Sequence, residues 1–307
     1  MRSIPVSLRK RKSCSAEAST IYESHLHRTK VSYTNIFCAN CRAHCAARAF
    51  DTRILKKYVG EPRREGRTGG CMKLEKDLIL AMTYVPHLRY DKMEPFPLRG
   101  IGYTIYRESG KSPSGRRMIE VPQGGIVIEY AFYYDFDIQH LYDLEHCFVY
   151  LDEKGEVRGV ESSFHGKFLN SMIEGVLEFE DKHPVLYVQP GKHAFFPHPD
   201  YFRLVIDRDT ACGKNAGEAG FLIMPMFEGR LFTNEELNRK VERYIRDNYA
   251  FTPSWEFTAE SPDGRRENEI LMPYPELDGM IADRLRTWCA KIEEGAGYGI
   301  SGYEGPA

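Results

Sequence analysis

Between Tyr133 and His146 the chain reads Tyr133-Tyr134-Asp135-Phe136-Asp137-Ile138-Gln139-His140-Leu141-Tyr142-Asp143-Leu144-Glu145-His146, four carboxylates and two imidazoles inside an otherwise aromatic and aliphatic run. No other segment restricts the fold as much. Acids set among Phe, Tyr and Leu must either point out of a sheet or share a buried cation, because an unpaired buried charge is too costly to keep.

The register of the following hairpin favours convergence. Asp152-Glu153-Lys154-Gly155-Glu156 predicts a three-residue loop with Gly155 in the left-handed position, which pairs Asp152 with Glu156. Counting outward, Glu145 faces Ser163 and Asp143 faces His165. The strand period of two then places Asp143, Glu145 and His165 on one face, and a one-residue change in the loop would send His165 to the other. His146 falls on the opposite face and stays outside this set. Cys147, a lone cysteine in a hydrophobic strand, is read as core.

Around this segment the pattern is mostly β. A short helical stretch begins at Met72, and a strand is predicted at 102–107. Further strands are predicted at 125–136, 145–151, 157–165, 185–188, 201–206 and 221–224, at sandwich-like intervals. Thr233-x-x-Glu236 predicts a capping box opening a helix to about Asn248, and Pro275–Glu294 gives a second amphipathic helix. Strands first and helices last predict a mainly β, α+β fold: an antiparallel β-sandwich with peripheral and C-terminal helices. Ser109-Gly110-Lys111-Ser112 is no phosphate loop, since it lacks the earlier glycine and leads into no helix.

The charge distribution divides the chain. Residues 1–71 hold 15 Lys and Arg against 5 Asp and Glu, and residues 72–307 hold 27 against 39. The first segment is read as a basic, disordered or mis-assigned extension, with Met72 as the biological start of a single domain over 72–307. Within the extension, Cys38, Cys41, Cys45 and His44 lack the second ligand pair of a structural zinc site. Arg9-Lys10-Arg11-Lys12 is an ordinary basic run, and no nucleic-acid partner is expected for the domain. The absence of a long apolar run predicts no membrane span. Charges where a secretory apolar region would lie, and cysteines too sparse for a disulfide scaffold, predict a cytoplasmic protein.

The order His140-x2-Asp143-x-Glu145, then Ser163-Phe164-His165-Gly166, Pro184-Val185-Leu186-Tyr187 and Gly191-Lys192-His193-Ala194, resembles the necrosis- and ethylene-inducing peptide-like proteins. It also resembles the vacuolar protein sorting-associated protein 62 family and its uncharacterised bacterial relatives. The toxin heptapeptide is Gly-His-Arg-His-Asp-Trp-Glu. Gln139-His140-Leu141-Tyr142-Asp143-Leu144-Glu145 keeps the first His, the Asp and the Glu. Tyr84-Val85-Pro86, Asp91-x2-Glu94-Pro95 and Tyr103-Thr104 fit the vacuolar-sorting pattern, so the resemblance covers roughly 84–198.

This resemblance implies a β-sandwich with one divalent cation in an acidic cavity. The matched ligands are His140, Asp143 and Glu145, with either Asp135 or Asp137 as the additional acid. Oxygen-rich coordination favours calcium or magnesium over manganese or zinc. Two functions follow: a module binding a glycan, lipid head group or phosphoester through the ion, or a metal-dependent hydrolase with His165 or His193 as acid or base. A third class is a protein whose metal only holds loops together. His198 is read as structural.

Overall fold

The computed structural model of the chain describes residues 68–164, 166–224 and 227–294. Cys38, Cys41, His44 and Cys45, the basic run at 9–12 and His165 lie outside the described residues. The elements open with α1 (Thr68–Tyr84), β1 (His87–Asp91), β2 (Leu98–Tyr106), β3 (Gly110–Lys111), β4 (Met118–Ile119), β5 (Ile126–Phe136) and β6 (Leu141–Leu151). There follow β7 (Val157–Phe164), β8 (Lys167–Asn170), β9 (Phe179–Glu180), β10 (His183–Val188), β11 (Phe195–Phe196) and a 3₁₀ turn at Pro199–Leu204. The remaining elements are α2 (Glu235–Tyr249), β12 (Phe257–Thr258), β13 (Leu271–Pro273) and α3 (Tyr274–Glu293).

Two main sheets result. The larger has the order β13-β2-β5-β6-β7-β8, and the smaller β11-β10-β1-β12 with β9 on β10. Strands β5 and β6 pair from Ile126 opposite Leu151 to Phe136 opposite Leu141. One face of that ribbon carries Tyr130, Phe132 and Tyr134 with Cys147 and Val149, all fully buried. It meets the smaller sheet, where the Phe132 and Phe195 rings lie 4.9 Å apart. On the other face α3 buries Leu277, Ile281, Leu285 and Trp288 at helical spacing. Gly102 permits that approach, since a Cβ there would lie 2.7 Å from Leu277 Cδ2.

The mainly β sandwich with late helices stands, but its sheets are mixed. β1 runs parallel to β10 and β13 parallel to β2, so the purely antiparallel expectation is corrected. Residues 201–206 form no strand: His198 Nδ1 caps Asp200 N at 3.2 Å and Pro199 opens the 3₁₀ turn. Residues 221–224 also form no strand, beyond a bridge of His140 with Gly220. The α2 cap is Asn234, which accepts from Leu237 N at 2.8 Å, one residue later than the expected box.

The 152–156 hairpin has the expected turn: Gly155 takes φ +74°, and Asp152 N donates to Glu156 O at 3.0 Å. A bulge beyond it shifts the register between Tyr150 and Leu151, so Cys147 faces Ser162. The uninterrupted count of Glu145 against Ser163 is therefore off by one residue.

Candidate functional site

The predicted acids sit where the β5–β6 pairing ends. After Phe136 the chain turns through 137–140, closed by Asp137 N donating to His140 O at 2.9 Å. Tyr142, held at φ +55°, bends the start of β6, and its hydroxyl accepts from Met224 N at 2.9 Å. A non-glycine residue there carries strain that the surrounding packing must hold. Beyond the bend, Asp143 and Glu145 stand on one side of β6 in the period-two pattern.

Asp137, His140, Asp143 and Glu145 line one side of a cavity of about 1110 Å³. His140 Nε2 lies 3.9 Å from Asp137 Oδ2. Asp135 lies elsewhere, chelated by Arg284 through Nε at 2.7 Å and Nη2 at 2.5 Å, with Arg99 Nε at 3.0 Å. Those guanidiniums outweigh the effect of burial and hold its carboxyl below the usual range. Of the two open alternatives, only Asp137 joins the group at the cavity.

The loop after β10 supplies the cations. Lys192 Nζ lies 2.9 Å from both Asp137 oxygens and donates to Gln139 Oε1 at 2.7 Å. His193, completely buried, donates from Nδ1 to Asp143 Oδ2 at 3.1 Å and has Nε2 3.6 Å from Glu94 Oε1. Burial alone would lower its pKa, but the two carboxylates raise it to about 9. His193 therefore stands behind Asp143 as a positioning cation rather than at the cavity wall. Glu94 in turn accepts from Phe96 N at 3.1 Å and Gly191 N at 2.7 Å, fixing the loop.

Glu145 accepts from the Ser163 hydroxyl, which itself accepts from His146 N at 2.6 Å. Burial, reinforced by the charge of Asp143, pushes the Glu145 carboxyl well above the ordinary range. Among the described residues no three His, Cys, Asp or Glu side chains form a ready-made metal cage. The donor set still fits a hard ion by its chemistry, since three carboxyls and one imidazole line the same cavity.

The facing wall includes Ser114, Arg117, His146, Phe148 and Phe168. Sequence periodicity set His146 apart, yet it lines the same cavity. Ser114 Oγ is 2.8 Å from His146 Nε2 and donates to Glu129. Glu129, buried in the middle of β5, also accepts from Ser112 at 2.7 Å and Tyr106 at 2.5 Å. Its carboxylate holds the serine hydroxyl and not the far side of the imidazole, so these three do not form a nucleophilic relay. Arg117 lies 4.6 Å over Phe148 and 4.5 Å over Phe168.

No protein-family model matches the chain, and no curated protein does. The chain is similar in fold to Necrosis and Ethylene inducing Protein 2 from the causal agent of cocoa's Witches Broom disease, at 20% identity and TM-score 0.28 over 38% of this chain and 66% of that one. NLPPya in complex with mannosamine is similar at 18% identity and TM-score 0.27, covering 38% of this chain and 64% of that one. NLPPya in complex with glucosamine matches at 16% and 0.28, over 44% and 71%. The chain thus spans just under two thirds of the first two structures. No helix among the described residues is long and apolar enough to cross a membrane.

Proposed function

We propose that this chain is a divalent-cation-dependent binding module that takes a sugar or lipid head group into the cavity beside β6. The observation that carries this reading is the Asp143–Glu145 pair. Two acids on one strand face line an open space together with Asp137 and His140, and burial with the Asp143 charge pushes the Glu145 carboxyl above its ordinary range. Calcium or magnesium suits these donors, with manganese or zinc as alternatives.

Asp137, His140, Asp143 and Glu145 would hold the ion. When bound, it would supply open coordination positions for hydroxyl or phosphate oxygens of the ligand. His193 orients Asp143, Ser163 orients Glu145, and Glu94 fixes the loop that carries His193. Such partners set the direction in which each ligand atom points. Phe168, 40% exposed and lining the cavity, provides apolar surface against which a sugar ring can pack. A hydrolase using His193 gains no support, because that imidazole is buried behind Asp143.

Elemental analysis of the purified full chain tests the reading, beside the Asp143→Ala/Glu145→Ala double variant. About one calcium or magnesium per chain, lost in the double variant, is expected. Glycan and phosphoester binding should then require the ion, without turnover. A wild-type chain that takes up no divalent metal after resupply would overturn it.

A further inference from the structure

Lys192 is the cation already inside this site. Its side chain is buried, and its ammonium makes two contacts of 2.9 Å with Asp137 and one of 2.7 Å with Gln139 Oε1. A buried lysine is kept only when such partners compensate its lost hydration. The same side chain borders two spaces: the main cavity, and a smaller one of about 300 Å³ lined also by Gln139, Phe164, Leu204 and Asp207. Asp207 is thus a second carboxylate on the smaller space, and its charge acts on Lys192.

We infer that Lys192 is a tethered competitor for the divalent ion: its ammonium occupies Asp137 in the metal-free protein, and metal enters only as Lys192 moves off towards Asp207. This rests on the cation-binding reading above. Asp137 then faces a cation in both states, the monovalent ammonium in one and the divalent ion in the other. The carboxyl cluster is never left without a counter-ion, and metal occupancy is coupled to the smaller cavity. If Lys192 leaves Asp137 free for about a tenth of the time, the apparent metal affinity falls about tenfold below that of the unobstructed site.

The test is calorimetric titration of the full chain with calcium chloride and with manganese chloride, for wild type, Lys192→Met, Lys192→Gln, Asp207→Asn and the Lys192→Met/Asp207→Asn double variant. Lys192→Met is expected to bind about tenfold more tightly than wild type. In chelator it should melt lower than wild type, and on adding metal it should gain more in Tm. Lys192→Gln, which keeps a hydrogen-bonding side chain at Asp137 without the charge, should behave likewise and serves if the methionine variant does not fold. Asp207→Asn should weaken the wild type several-fold and leave the Lys192→Met background unchanged. Equal or weaker binding by folded Lys192 variants, with wild type still binding, overturns the competitor role and leaves the cation site standing. No binding by any form overturns both.

Discussion

The His193 imidazole lies flat on the Tyr134 ring, with centroids 3.7 Å apart and planes 1° from parallel. Tyr134 sits directly opposite Asp143 in the β5–β6 ladder, so its ring stacks on the imidazole that bonds to the Asp143 carboxylate. The stack converts strand register into the position of an acid.

His193→Gln should destabilise the metal-free protein by about 3 kcal/mol, the scale for breaking a buried ion pair. The imidazole binds its proton more tightly in the fold, at about 9 against 6.5. Its contribution is therefore complete below pH 6.5 and fades as pH rises through about 9. Urea unfolding in chelator should show that loss in wild type and a flatter profile in His193→Gln. Parallel profiles would count against the assignment.

Glu145→Gln should separate stability from binding. A carboxyl whose pKa is raised by folding costs stability once pH exceeds its ordinary value, because the buried group then resists ionisation. The amide removes that cost. In chelator at neutral pH the variant should melt at or above wild type, while its bound metal should vanish. A lower Tm together with retained metal would contradict both halves.

Asp135 and Asp137 should respond in opposite ways. Asp137→Asn is expected to abolish metal content, and Asp135→Asn to leave it unchanged while costing about 2 kcal/mol through the lost Arg284 pair. Because folding lowers the Asp135 pKa, its contribution is present above the ordinary carboxylate range and lost as pH falls below it. Acid titration followed by circular dichroism should therefore show Asp135→Asn with a weaker acid transition. Loss of metal in Asp135→Asn would reverse the choice between the two acids.

Gly191→Ala should cost about 2 kcal/mol and impair metal uptake. Gly191 has φ +67°, and an added Cβ would sit 2.9 Å from Ile138 Cβ. The alanine would thus push the Lys192–His193 loop away from the 137–140 turn. Elemental analysis and thermal melting on one preparation would check both effects.

Sequence periodicity carried as far as local chemistry does. The Asp152–Glu156 turn could be read because a glycine in the left-handed position declares itself, and the α3 face could be read from Leu277, Ile281, Leu285 and Trp288. The register of β7 could not, because the bulge near Arg158 has no residue-type signature. Tyr201 to Ile206 has strand composition, but the cap from His198 and the burial of Phe202 decided for a turn. Glu94 and Lys192 were present in the quoted motifs, yet their roles depend on contacts reaching 97 and 55 residues along the chain. Nothing local encodes such pairings. Asp135 and Asp137 stayed equivalent until the arginine from α3 distinguished them.

The parallel pairing of β1 with β10 joins residues nearly a hundred positions apart, with Leu88 against Leu186. Consecutive hairpins such as β5–β6 and β6–β7 close short loops and can form early, whereas this pairing must wait for a long loop to close. Asp143 belongs to the early ribbon, and Lys192 and His193 to the loop that follows the late strand β10. A refolding chain would therefore pass through a stage with exposed acids and no counter-ions, at which divalent ions in the medium could speed the final docking. Site assembly and completion of the sandwich become a single kinetic event.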